Sequence, residues 1–288
     1  MGVLVSQALV SGILMGLVFS LIALGLTIIF GVMNIVNFAH GEFLMIGMYA
    51  AYWSAVILSM EPLLTLPIAA AVGFALGIAS YYLLVRHLLR GPMIAQLLGT
   101  FGLMLFLRYL ALFIFGPNFK TLSKGILIGK TSMMGPVVID WSKFFIGLLS
   151  LAGFLLVYWL ISYTKTGKAL LATSIDAEAA SYMGIKTEWM NGLAWGLGGA
   201  TVGIAGALLT NFYYVYPTIG MLFCMLAFAT VALGGFGSIK GAFLAGLIIG
   251  LIETFFGQFV SSELKFAVIY ALYFIVVALR PEGMFGWK

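Results

Sequence analysis

Long apolar segments separated by short polar ones fill almost the whole chain, and this pattern restricts the fold more than any other feature. An α-helix needs about 20 apolar residues to cross the hydrocarbon core, because each residue adds about 1.5 Å. By this criterion the sequence predicts about nine membrane spans, with eight or ten as the alternatives. The predicted spans cover residues 7–30, 40–60, 64–85, 93–116, 144–163, 189–210, 219–234, 241–260 and 265–279.

Charged residues are too few for a soluble protein of this length. Asp, Glu, Lys and Arg make up 8% of the 288 residues and hydrophobic residues 63%, whereas soluble domains contain about 25% charged residues. The sequence therefore predicts an all-α integral membrane protein with a single transmembrane domain, residues 1–288. Its net charge of +5 comes from scattered residues, which favours contact with anionic membrane lipid and not with nucleic acid.

The distribution of Lys and Arg predicts the orientation of the spans, because cytoplasmic loops of membrane proteins are enriched in both residues. With the N-terminus outside, eight basic residues lie in cytoplasmic loops and five in external loops. The cytoplasmic set is Arg86, Arg90, Lys165, Lys168, Lys186, Lys240, Arg280 and Lys288, and the external set is Lys120, Lys124, Lys130, Lys143 and Lys265. We therefore expect loop 117–143 outside and loop 164–188 in the cytoplasm.

The segment that joins the first predicted span to the start of the second contains four candidate functional residues, Asn34, Asn37, His40 and Glu42. A break in a helix at membrane depth persists only inside protein or along a wet cavity, because lipid cannot pair with free peptide groups. We expect a buried helix break near a translocation path, and an ordinary interfacial connector is the alternative. Two His residues one helical turn apart are absent, so the segment does not match a zinc signature and no metal site is predicted.

Two ionisable residues lie inside other predicted spans and are candidates for function, because charges in a bilayer are costly. Arg108 lies toward one end of its span, where its long side chain is expected to reach the headgroups. Glu253 lies near the middle of its span, and two roles are equally open for it. One is a structural hydrogen bond to a neighbouring helix, and the other is a position on the translocation path.

Glycine supplies two further patterns. Glycines four residues apart, such as Gly192/Gly196 and Gly199/Gly203, predict close packing between helices. The glycine-rich stretch 233–241 resembles a phosphate-binding loop but lacks the Lys and Ser/Thr spacing of a P-loop. A tight turn between packed helices is therefore predicted there, and no nucleotide site.

Loop 164–188 is too polar to be a span, yet it is rich in the helix formers Ala and Leu. Ser174 or Asp176 can cap a short helix that is predicted to run to Met183. Gly184 is the expected C-terminal stop, because glycine adopts the left-handed conformation that commonly ends a helix.

The predicted short helix carries the features of a docking element. Ala179, Ala180 and Met183 are expected to form one small apolar face, and Asp176 and Glu178 lie near the N-terminus, where the helix dipole favours acids. An amphipathic helix that projects from a membrane bundle suits docking into a groove on another protein. A surface loop that lies on the bilayer is the alternative.

The sequence Glu178-Ala179-Ala180, followed by Gly184, resembles the EAA loop of ABC importer permeases. The wider loop is similar to the branched-chain amino acid permease family of the LivH type. Three further segments agree with this family, namely residues 34–42, 233–242 and 280–286. Leu171 departs from the family pattern, since many members carry Arg there.

The resemblance implies the permease subunit of an ABC importer in the inner membrane, and not an enzyme. It implies that the short helix, with Asp176, Glu178, Ala179, Ala180, Met183 and Gly184, couples to ATPase subunits. The implied partners are a second homologous, LivM-like permease, two cytoplasmic ATPase subunits that bind ATP and Mg²⁺, and a periplasmic binding protein. No cofactor is implied in this chain itself.

Leucine, isoleucine and valine are the usual substrates of the family, and relatives that transport urea, short amides or other amino acids provide the alternative. An ion-coupled secondary transporter is a more distant reading. That class usually has paired intramembrane charges and an internal repeat, and it would leave the polar loop 164–188 unexplained.

Overall fold

The computed structural model describes residues 2–89, 91–122, 125, 129–134, 137–261, 264–280 and 282–286. Arg90, Lys124 and Lys288, which belong to the predicted cytoplasmic and external loops, lie outside the described residues, as does residue 281 of the C-terminal family segment.

Eleven helices and one two-stranded hairpin make up the described structure. The helices are α1 (Gly2–Met33), α2 (His40–Ile57), α3 (Pro62–Leu88), α4 (Met93–Phe115), α5 (Trp141–Tyr163), α6 (Lys165–Ile175), α7 (Ala177–Tyr182), α8 (Thr187–Leu209), α9 (Ile219–Gly234), α10 (Ile239–Phe259) and α11 (Leu264–Leu279). The antiparallel strands β1 (Thr131–Met134) and β2 (Val137–Asp140) precede α5.

Six of the described helices are long and apolar enough to cross a membrane, namely α1, α3, α4, α5, α8 and α10. This confirms a helical membrane protein and matches six of the nine predicted spans. The other three predicted spans correspond to helices outside this group. Helices α9 and α11 are shorter, with 16 residues each, and α2 has 18 residues but begins with the polar His40 and Glu42. The count of nine spans therefore stays a prediction.

Helix α1 is the centre of the bundle. Every residue from 15 to 29 is buried, and the helix packs against α10, α8 and α5. A helix that is apolar on all sides is one that protein surrounds. Helices α4 and α11, in contrast, expose large apolar side chains along much of their length. The interior of the bundle is therefore organised around the first helix of the chain.

Helices approach closely at glycines, as the glycine spacing predicts. Gly73 of α3 and Gly199 of α8 face each other so closely that a Cβ on either residue would overlap the other's carbonyl group. A Cβ on Gly250 of α10 would meet the backbone of Gly16 in α1. Lipid gives helices no hydrophobic reason to associate, so such contacts supply van der Waals attraction between backbones.

The glycine-rich stretch after α9 forms the predicted tight turn. Gly235 and Gly237 have φ angles of +101° and +80°, a region that residues with a Cβ rarely adopt. The C-terminal segment then packs on this turn, since the N–H groups of Met284 and Phe285 donate to the last two carbonyls of α9. Carbonyl groups that the helix end leaves free are satisfied in this way.

The loops that are predicted to be external contact one another at one end of the bundle. The backbones of Lys120 and Val215 exchange hydrogen bonds of 2.9 and 2.8 Å, and the Lys120 ammonium lies 5.5 Å from the Trp53 ring centroid. Lys143 and Lys265 line one cavity. The assignment of this end to the outside stays a prediction from the charge distribution.

Replacing Gly199 with Ile should destabilise the bundle, because the new side chain would force α8 away from α3. Overpacking of this kind costs about 1–3 kcal/mol or more. Gly102→Ile in α4 is the control, since a Cβ there has no neighbour within 4 Å. Thermal unfolding of the detergent-solubilised variants measures the difference, and equal stability of the two variants would contradict the packing argument.

Candidate functional site

The chain between α1 and α2 turns back into the bundle as a non-helical segment, residues 34–39. Helix α1 ends at Met33, and the next residue, Asn34, has a φ of +54° and donates its N–H to the Phe30 carbonyl. Nε2 of His40 lies 2.9 Å from the Ile22 carbonyl oxygen, and residue 22 is about 16 Å from the end of α1 at 1.5 Å per residue. Helix α2 therefore begins deep inside the bundle, so the segment is a buried helix break and not an interfacial connector.

Side chains from two other helices satisfy the backbone of this break. The Thr100 hydroxyl of α4 donates to the Val36 carbonyl at 3.0 Å, and the Cys224 thiol of α9 donates to the Phe38 carbonyl at 3.4 Å. The side-chain oxygen of Asn37 accepts the backbone N–H two residues further on, at 3.0 Å. The protein supplies the hydrogen-bonding partners that lipid cannot provide.

Glu42 and Arg108 form a buried ion pair at the start of α2. The distances from the Arg108 Nη2 and Nε atoms to Glu42 Oε1 are 2.6 and 3.0 Å, and the side chains are 14% and 1% exposed for Arg108 and Glu42. The expectation that Arg108 reaches the headgroups is therefore wrong. The contact between α4 and α2 brings the guanidinium to a carboxylate that is 66 residues away in sequence.

Two helix N-termini meet beside this carboxylate. Gly41, the second residue of α2, contacts Gly220, the second residue of α9, and a Cβ on Gly220 would lie 2.9 Å from Glu42 Oε2. Each helix N-terminus carries a partial positive charge, so the Glu42 carboxylate stabilises a crossing that would otherwise bring two like charges together. Interrupted helices whose ends meet at membrane depth are typical of transporter binding sites.

The break also contains polar atoms with free hydrogen-bonding capacity. Asn37 Nδ2, His40 Nδ1 and Glu42 Oε2 are buried and have no hydrogen-bond partner among the described residues. Nε2 of His40 faces a carbonyl oxygen, which only accepts, so Nδ1 is the acceptor of that ring. One donor and two acceptors are thus available at the break.

The remaining two residues of the predicted path lie elsewhere. Asn34 is exposed at the end of α1. Glu253 accepts a hydrogen bond of 2.7 Å from Lys265 at the start of α11. Two roles were predicted for Glu253, and the structure shows one of them, a hydrogen bond to a neighbouring helix. Participation of either residue in a translocation path stays a prediction.

Helix α7 forms where the polar loop predicts a short helix, and it ends one residue earlier than expected. Of the two candidate caps, Asp176 is the one used, because its carboxylate accepts from the backbone N–H groups of Glu178 and Ala179 at 2.9 Å each. Gly184 follows the helix with a φ of +83°, as the predicted stop requires. Both ends of α7 are therefore fixed by local sequence.

The exposed face of α7 differs from the predicted one. Ala180 is buried against the bundle, whereas Ala179 and Met183 are exposed, and Met183 is 83% accessible. The expectation that all three share one face is therefore wrong for Ala180. Tyr182 joins the exposed face, and its hydroxyl donates to the Glu178 carboxylate at 2.6 Å. This hydrogen bond raises the pKa of Tyr182, because it stabilises the protonated phenol.

Sequence reasoning missed Ile175 and Tyr182 as members of this surface. Ile175 is exposed on α6, one helical turn after the exposed Leu171. The four-residue spacing of Leu171 and Ile175 was the available signal, because residues so spaced share a helix face. We call the exposed apolar residues Leu171, Ile175, Ala179, Tyr182 and Met183 the α6–α7 surface.

Six helices that are long and apolar enough to cross a membrane, packed around a central helix whose middle is fully buried, define a multi-pass membrane protein. The family described as the branched-chain amino acid transport system / permease component matches residues 8–277. The chain belongs to this family. It is thus a transporter subunit of the inner membrane and not an enzyme.

Two relatives show the extent of the similarity. The high-affinity branched-chain amino acid transport system permease protein LivH of Salmonella typhimurium is 32% identical, over 97% of this chain and 95% of the relative. The corresponding protein BraD of Pseudomonas aeruginosa is also 32% identical, with the same coverage. The solved structure of PsaBC from Streptococcus pneumoniae in complex with Fab is 14% identical with a TM-score of 0.47, over 94% of this chain and 90% of that chain.

Replacing Arg108 with Met should destabilise the protein strongly, because it leaves the Glu42 carboxylate buried without its cation. Breaking a buried ion pair costs about 3–5 kcal/mol. The double variant Glu42→Gln/Arg108→Met removes both charges and should recover most of that loss in thermal unfolding. A double variant no more stable than Arg108→Met would show that the pair contributes by packing alone. Lys265→Met, at the more exposed pair with Glu253, is the control and should cost less.

Proposed function

We propose that this chain is the permease subunit of an ABC importer that moves branched-chain amino acids across the inner membrane by alternating access. The observation that carries the proposal is the match along nearly the whole chain to permeases named for branched-chain amino acid transport. Transport of urea, short amides or other amino acids is the second candidate. This second candidate stays open because few residues of this chain distinguish one substrate class from another.

The proposed assembly contains a second, homologous permease of the LivM type, two cytoplasmic ATPase subunits and a periplasmic binding protein. ATP and Mg²⁺ are bound by the ATPase subunits, and this chain needs no cofactor of its own.

The α6–α7 surface supports an ATPase contact, since Ile175, Tyr182 and Met183 are each more than three-quarters exposed. Apolar side chains that project from a capped helix suit a groove on a partner. The coupling residues are then Asp176 and Glu178, with Ala179, Met183 and Gly184, while Ala180 ties the helix to the bundle.

A motion of the docked ATPase subunits can reach the membrane through α6. Leu170 and Thr173 of α6 are buried, and α6 packs on α1 and α8 as well as on α5. A Cβ on Gly167 would overlap the Ile161 carbonyl at the end of α5, which leaves little freedom for α6 to move separately. We therefore propose that α6 and α7 move with the central helices, and that the break at residues 34–39 responds.

At the break, the crossing of α2 and α9 is the proposed place of opening. The two helices are not continuous with α1 or α8, so they can tilt without bending a long helix. Asn37, His40 and Glu42 offer polar atoms along that crossing, and a branched-chain amino acid carries a carboxylate and an ammonium group that need such partners. This arrangement supports a path beside the crossing.

Replacing Met183 with Glu should abolish uptake while the permease still assembles in the membrane, because a charge in an apolar groove is costly to bury. Met133→Glu is the matched control. Met133 is 81% exposed and lies in the hairpin of loop 117–143, which is predicted to be on the external side, opposite to α7. Uptake in vesicles and ATPase activity stimulated by the binding protein are the two measurements. Full transport by Met183→Glu would remove the docking role of α7.

Titration of the cognate binding protein decides the substrate class. We expect leucine, isoleucine and valine to bind, and urea and acetamide not to bind, in calorimetric titrations under identical conditions. Binding of urea alone would favour the second candidate, a permease for urea or short amides.

An ion-coupled transporter would be indicated by uptake that continues with inactive ATPase subunits and stops when the proton gradient is dissipated.

A further inference from the structure

A cavity of about 310 Å³ opens at the end of the bundle that is predicted to be external. It lies where α1, α5, α10 and α11 meet the segment that follows α8. Glu253 of α10 lines this cavity, six residues before the helix ends at Phe259. At 1.5 Å per residue, Glu253 is about 9 Å from the end of α10. The cavity therefore extends inward from the end of the bundle.

Two ammonium groups and one carboxylate line the cavity, those of Lys143, Lys265 and Glu253. The Lys265 ammonium is already paired, since it donates to Glu253 Oε1 at 2.7 Å. Lys143 is partly buried and makes no ion pair among the described residues. In the same part of the chain Glu253 Oε2 accepts no hydrogen bond, and unlike Glu42 Oε2 it is not fully enclosed. One cation and one carboxylate oxygen are therefore available to a molecule in the cavity.

Apolar side chains form another part of the wall. Met15 and Phe212 line the cavity together with the charged groups, and the Phe212 ring packs on the Tyr213 ring with a centroid distance of 4.9 Å. Small-molecule sites usually have volumes of about 300–1,000 Å³ and combine apolar walls with a few polar groups that fix the ligand. This cavity lies at the lower end of that range, so it suits a ligand of the size of one amino acid.

We propose that the cavity is an outer binding site for a free apolar α-amino acid in its zwitterionic form. The ligand carboxylate pairs with Lys143, its ammonium group pairs with Glu253 Oε2, and its side chain lies against Met15 and Phe212. A free amino acid carries these two charges beside one apolar side chain, which is the combination that the wall presents. The inference rests on the proposed import of branched-chain amino acids, and it adds the place where the substrate first enters this chain.

Other occupants fit this wall less well. Urea and short amides are uncharged, so they form no ion pair with Lys143 or Glu253 and lack the stronger hydrogen bonds between two charged groups. A simple anion would pair with Lys143 but would bring a second negative charge close to the Glu253 carboxylate. An acidic side chain of a partner protein has the same disadvantage. A zwitterion satisfies both groups at once.

The first measurement is the binding of radiolabelled leucine to the purified permease complex in nanodiscs, without the binding protein. Lys143→Gln and Glu253→Gln should each weaken binding about tenfold or more, as expected for the loss of one hydrogen bond between charged groups. Lys143→Arg keeps the cation and should retain most of the affinity. Lys130→Gln and Glu188→Gln remove the same charges at exposed positions outside the cavity and should leave the affinity unchanged. Absence of saturable binding by the wild type, or equal affinity in all variants, would overturn the proposal.

Competition by two leucine analogues separates a direct contact from a structural defect. Leucinamide lacks the carboxylate and 4-methylpentanoate lacks the ammonium group, so both should compete less well than leucine in the wild type. Lys143→Gln should remove only the advantage of leucine over leucinamide, and Glu253→Gln only its advantage over 4-methylpentanoate. An equal loss of affinity for all three ligands would show that the substitutions act on the fold, and the site assignment would then be wrong.

ATP-driven uptake of leucine delivered by the binding protein is measured in parallel, in proteoliposomes. Uptake by the wild type, combined with leucine binding that the cavity variants do not change, would overturn the site and leave the proposed function standing. Uptake of urea in place of leucine would overturn both. The two failures are therefore distinguishable.

Discussion

Lipid offers no hydrogen bonds, and this constraint governs the structure around the interruption between α1 and α2. A chain that leaves the helical conformation at membrane depth must find partners for its peptide groups inside the protein. Here Thr100 and Cys224 supply those partners from α4 and α9, and Asn37 supplies one from within the break. The break is therefore possible only where other helices pack around it, next to the fully buried part of α1, residues 15–29. The central position of α1 and the interrupted segment are two results of the same constraint.

The charges near the break are also paired within the protein. Two helix N-termini converge at Gly41 and Gly220, and the Glu42 carboxylate beside them is in turn paired with Arg108. A carboxylate without Arg108 would be a buried charge, and Arg108 without Glu42 would lie in an apolar helix facing lipid. The ion pair thus links α2 to α4, and the Gly41–Gly220 contact beside it links α2 to α9. Any rearrangement of that crossing must keep these charges paired or expose them to water, which connects the stability of the bundle to the proposed path.

The proposed ATPase contact and the break lie at different places but share supporting helices. Helix α6 packs on α1 and α8, and α1 leads directly into the break at Asn34. A displacement of the α6–α7 surface therefore acts on the helix that holds the break in position. The tight Gly73–Gly199 contact makes α3 and α8 move together, because separation of the two backbones would forfeit their packing. The physical route from the α6–α7 surface to the break consists of packed helices.

The sequence by itself determined the class of protein, the position of the interrupted segment and the turn after α9. It also gave the end of α7 to within one residue and Asp176 as one of two candidate caps at its start. These features depend on local composition and on residues such as Asp176 and Gly184, whose effects extend only a few positions along the chain. The tertiary structure decided which residues meet. The Glu42–Arg108 pair, the Glu253–Lys265 pair and the burial of Ala180 all depend on how separate helices pack against each other. Periodicity in one segment carries no information about the partner that another helix brings to it, and for that reason the expectation for Arg108 was wrong.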